Sequence, residues 1–65
     1  MTDKEIKLYN ITKTKFGYKL SIIRDGDTIR SVRHLVNCAM KSSPILFSDY
    51  TYENVCTKLI DEIGA

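Results

Sequence analysis

Leu20 and Ile22 alternate with Lys19 and Ser21, and this period of two predicts a strand over residues 18–24 with one buried face. Asp25 and Gly26 follow directly, and a type I′ hairpin turn favours such a pair because both of its central positions need positive φ. A two-residue loop would set Ile22 opposite Ile29 and Leu20 opposite Ser31, keeping the apolar side chains on one face. A three-residue loop would re-pair every side chain. From Val32 the period changes. Val32, Leu35, Val36, Ala39 and Met40 recur at helical spacing and predict an amphipathic helix to about Lys41. Ser31 is its expected N-cap, and Ser42, Ser43 and Pro44 are its stop. A competing reading runs residues 28–36 as one strand, but that would turn Arg33 or His34 inward, and Ala39 to Lys41 suit a helix better.

Upstream, Ile6 and Leu8 alternate with Lys7 and Tyr9, predicting a first strand to about Thr12. Thr14, Lys15, Phe16 and Gly17 then read as a turn, and residues 1–5 as a frayed end. Downstream, Pro44 to Phe47 is a short apolar run, either a fourth edge strand or a packed connector. Asp49 or Thr51 is the expected cap of a last helix over residues 52–63. That helix has a buried stripe of Tyr52, Val55, Cys56, Leu59, Ile60 and Ile63, and Gly64 closes it. The expected fold is therefore α+β: a three-stranded antiparallel meander against two helices, in the order β-β-β-α-(β)-α, forming a single small domain over residues 1–65.

Sixty-five residues bury only about 60% of the surface of the unfolded chain, so stability is expected to be marginal and a homodimer would bury more. No apolar run after Met1 suggests a signal peptide and no stretch reaches spanning length, so a cytoplasmic chain that meets no membrane is expected. Cys38 and Cys56 are too few for a disulfide framework. Asn10, Ile11 and Thr12 match a glycosylation pattern that has no meaning without secretion.

Candidate chemistry is sparse. His34 and Cys38 share a helix face four residues apart, yet with Cys56 they make three ligands where structural zinc takes four, so no metal or other cofactor is expected. The carboxylate pairs Asp25/Asp27 and Asp61/Glu62 read as turn formers and a solvated face, so no catalytic residue is assigned and the chain reads as no enzyme.

Charge changes the picture more. The net charge is only +2, but residues 1–41 hold nine Lys and Arg against four Asp and Glu, and residues 42–65 hold one against four. The basic half interleaves Lys13, Lys15, Phe16, Tyr18 and Lys19 on the expected first hairpin, joined by Arg24, Arg30 and Arg33, a set suited to phosphates and stacked bases. The acidic half offers Phe47, Asp49, Tyr50, Tyr52 and Glu53, and tyrosine is enriched where proteins meet. The leading expectation is a non-enzymatic interaction module that binds and modulates a larger intracellular protein, as the small regulators and inhibitors of phages and mobile elements do. The alternative is a small DNA- or RNA-binding protein acting through the basic hairpin.

Overall fold

The computed structural model describes residues 1–23 and 27–64, and among them every regular element is a helix: α1 (Asp3–Ser21), α2 (Thr28–Ser42) and α3 (Asp49–Ile63). Each helix packs against the other two, so the fold is a three-helix bundle. Its longest dimension, 30 Å, is close to the length of α1, about 28 Å at 1.5 Å per residue. The α+β expectation is overturned. No strand forms among the described residues, so the meander, its register and the fourth strand over residues 44–47 are all absent from them. The Asp25–Gly26 turn falls outside the described residues.

The error lies in α1, for a physical reason. Thr2 caps this helix, its Oγ1 accepting from the Glu5 amide at 3.3 Å, with Asp3 and Glu5 favourably placed at the positive end of the helix dipole. The buried stripe then runs through Glu5, Leu8, Thr12 and Leu20, with Phe16 half-buried between the last two. Two of the four fully inward positions are polar, so the helical period is hidden to an eye that looks only for apolar residues. Each polar group has a partner. Thr12 Oγ1 donates to the Leu8 carbonyl at 2.9 Å, and Glu5 Oε1 accepts from Asn54 Nδ2 at 3.0 Å across to α3. Ile6, counted as inward in the strand reading, is exposed.

The expected turn over residues 14–17 does not form, because these residues lie inside α1, and only a kink marks the place. Phe16 leaves helical geometry (φ −121°, ψ 15°), but the helix resumes beyond it to Ser21.

The two later helices are present, each longer at its start than expected. Asp27, not Ser31, is the N-cap of α2, and Ser31 donates its amide to the Asp27 carbonyl at 2.9 Å within the first turn. The four residues read as a return strand are thus helical. Ser43 is extended at the other end, as the residue before a proline prefers. Ser48 caps α3 by accepting from the Thr51 amide at 3.2 Å, and Gly64 ends it in the left-handed region at φ 83°.

The core is Leu8 and Leu20 from α1, Val32, Leu35, Val36 and Ala39 from α2, and Val55, Cys56 and Leu59 from α3. Tyr52, Ile60 and Ile63 from the expected α3 stripe are half-buried against it. No helix of the described residues is long and apolar enough to cross a membrane.

The two described glycines in and after helices should respond oppositely to alanine. A Cβ on Gly17 meets nothing within 4 Å, so Gly17→Ala should stabilise by about 0.5–1 kcal/mol through helix propensity. At Gly64 the left-handed backbone opposes a side chain, and Gly64→Ala should cost about 1–2 kcal/mol. Urea melts followed by circular dichroism read both; equal signs would contradict these backbone assignments.

Candidate interaction surface

Neither surface expected from sequence survives as a unit. The basic, aromatic-flanked hairpin does not exist, because Lys13, Lys15, Phe16 and Lys19 all belong to α1. Phe16 turns partly inward, and the Lys19 ammonium lies 5.8 Å from its ring centroid. Lys13 is engaged elsewhere. Its Nζ lies 3.4 Å from Glu62 Oε2 on α3 and 5.2 Å from the Tyr9 ring centroid, and the Tyr9 hydroxyl donates to the same carboxylate. Lys15 and Arg30 remain exposed, and Arg24 lies outside the described residues.

Arg33 and Glu53, assigned to opposite surfaces, are each other's partners. The Arg33 guanidinium donates twice to the Glu53 carboxylate, at 2.7 and 3.1 Å, a bidentate fork that joins α2 to α3. Tyr52 lies beneath this pair. Its ring centroid is 5.8 Å from the guanidinium carbon, and its hydroxyl donates to the Arg33 carbonyl at 3.4 Å. Phe47 is half-buried against the core. Of the acidic aromatic segment, only Asp49 and Tyr50 stay open and without these ties, Tyr50 at 71% exposure beside Leu46 at 90%.

The ties move the titrations in consistent directions. The Arg33 guanidinium holds the Glu53 carboxyl below its ordinary value, and the Tyr9 hydroxyl does the same to Glu62. Glu62 in turn raises the Tyr9 hydroxyl, whose bond to Lys13 raises the ammonium. Cys56 is packed in the core as a small hydrophobe, and this burial pushes its thiol up.

His34 Nε2 lies 3.7 Å from Cys38 Sγ, the one pair of expected metal ligands that the fold brings together. Cys56 is buried on another helix, and among the described residues no three His, Cys, Asp or Glu side chains gather.

A different surface emerges between the second half of α1 and the first half of α2. An open groove of about 680 Å³ is lined by Tyr18, Ile22, Ile23 and Leu35, with Lys19 and Arg30 among its polar residues. Tyr18 and Ile22 are 71% and 64% exposed although they are large and apolar. They stand one helical turn apart, off the stripe that buries Leu20. The signal for this surface was present in the i, i+4 spacing of Tyr18 and Ile22, but it is invisible once that stretch is read as a strand. Asp27, Ser31 and His34 also line the groove. Among the described residues no hydrogen bond joins His34 to Ser31 or Asp27, so the three do not form a charge-relay arrangement.

No protein-family model, curated protein or solved structure matches the chain.

The depressed carboxyls of Glu53 and Glu62 set a direction for pH. A carboxyl lowered in the folded state contributes stability above its unfolded value and loses it as pH falls through the folded one. Denaturation midpoints should therefore decline below about pH 4.5, and Glu53→Gln with Glu62→Gln should flatten that decline. Urea midpoints collected from neutral to acid pH on both proteins test this. An unchanged acid slope in the double variant would mean the two ties do not persist in solution.

Proposed function

We propose that the chain is a non-enzymatic interaction module that binds and modulates a larger protein, and that its contact surface is the α1–α2 groove and not residues 47–53. The exposure of Tyr18 and Ile22 on the wall of that groove carries the reading. Of the large hydrophobic side chains left exposed, Tyr18 and Ile22 share one groove, where folding gains little from them and a partner could bury both. Tyrosine is also a frequent anchor at such contacts, since a rigid ring covers area at low entropic cost.

The nucleic-acid reading is weakened by the ties already described. Lys13 and Arg33 spend their charge on Glu62 and Glu53, which leaves fewer free cations for phosphates than the linear order suggests.

The test is a tagged pull-down from nuclease-treated and untreated lysate, each washed at low and high salt, run beside a Tyr18→Ser/Ile22→Ser variant. Both positions are exposed, so the variant should keep its helical circular dichroism and melting temperature. The expected result is one stoichiometric protein with the parent chain and at least about a tenfold loss with the variant, the scale of a truncated hot spot. Recovery of nucleic acid alone, lost at high salt, would overturn the proposal.

A further inference from the structure

We infer that the groove is built to take an amphipathic helix whose apolar stripe is flanked by acidic residues, a deepening that rests on the reading above. The argument begins with what the surface can recognise. Extended peptides bind by adding to a sheet edge, and no strand exists among the described residues to offer one. Proline-rich segments need grooves lined by several aromatic rings, and this one has Tyr18 alone. A phosphate-reading site needs clustered arginines, and Arg30 is the single arginine here among the described residues. What remains is a trough with helices for walls and aliphatic side chains for a floor, the setting in which a third helix lays down its apolar face.

Dimensions agree. Anchors at i, i+3 or i+4, and i+7 of a helix span about 10 Å, and the α2 wall from Asp27 to Leu35 runs about 12 Å. The volume of about 680 Å³ falls inside the range of about 300–1,000 Å³ typical of ligand sites.

Charge chooses the flanks. Among the described residues the lining holds the cations Lys19 and Arg30 and one carboxylate, Asp27. Among those residues neither cation is tied to a carboxylate, unlike Lys13 and Arg33. Complementary carboxylates on an incoming helix would meet both, whereas lysines there would meet like charge.

The experiment is a selection. A displayed library of random peptides of about 14 residues, four helical turns, is panned on the wild-type chain and depleted on the Tyr18→Ser/Ile22→Ser variant. Enriched peptides should carry apolar residues at i, i+3 or i+4 and i+7 with Asp or Glu beside them. Synthesised singly, they should gain helical circular dichroism on binding and weaken about tenfold against Lys19→Glu/Arg30→Glu. Peptides that need Tyr18 and Ile22 but are basic or lack helical spacing would overturn this inference and leave the groove as the binding surface. The absence of any groove-dependent peptide would remove the groove and the function proposed for it together. Sedimentation of the chain alone adds the last arm: a dimer lost in the Tyr18→Ser/Ile22→Ser variant would make the occupant a second copy and overturn the acidic helix.

Discussion

The structure depends on α3 closing over the seam between α1 and α2. Neither of the first two helices can bury its stripe against the other alone, since α1 supplies only Leu8 and Leu20 as fully buried apolar residues. Val55, Cys56 and Leu59 complete that interior. Helices of 15–19 residues are marginal in water without such packing, so closure and helix formation stabilise each other. Polar ties then fix the position of α3 along both neighbours. Glu5 meets Asn54 near one end, Tyr9 and Lys13 meet Glu62 near the other, and Arg33 meets Glu53 on the α2 side. The tie at Glu62 also offsets a local cost, because a carboxylate in the last helical turn opposes the helix dipole.

This division of labour explains where the groove lies. Where α1 ends and α2 begins, Leu20 and Leu35 turn inward while Tyr18 and Ile22 are left outside. At the other end of α2, about 20 Å along its axis, Leu46 and Tyr50 stand open on the connector and the first turn of α3. Tyr18 and Ile22 border a concave volume, and concavity is what lets a partner desolvate both sides of a contact.

The later half of the chain was legible and the earlier half was not, for reasons visible in single residues. Val32, Leu35, Val36 and Ala39 are apolar, unbroken and helically spaced, and all four are buried. Val55, Cys56 and Leu59 behave likewise, and Gly64 takes the left-handed closing position expected of it. In α1 the helix buries a glutamate and a threonine, each satisfied by a bond that linear order does not announce: one to Asn54, far along the chain, and one to the carbonyl four residues back. The four-residue alternation at Lys19 to Ile22 is too short to separate period two from period three and six-tenths, and a turn-like pair beyond it tipped the reading towards a hairpin. Thr2 and Glu5, three residues apart ahead of a mixed run, were the sequence-level evidence for a helix start.

The candidate surfaces misled for a related reason, since charge counted along a chain is not charge displayed in space. Arg33 and Glu53 fell into opposite halves of the linear tally, yet they face each other across α2 and α3 at 2.7 Å. Lys13 and Glu62 repeat the pattern across α1 and α3. Each pairing takes one cation from the basic half and one anion from the acidic half, so the dipolar layout is partly spent on assembling the bundle. Among the charges left for a partner are Lys19 and Arg30 around the apolar groove, Lys15 on α1, and Asp49 close in sequence to Tyr50 at the far end of α2. A functional surface in a domain this small is therefore best sought among side chains that the fold leaves over, because those it uses to close its core are already committed.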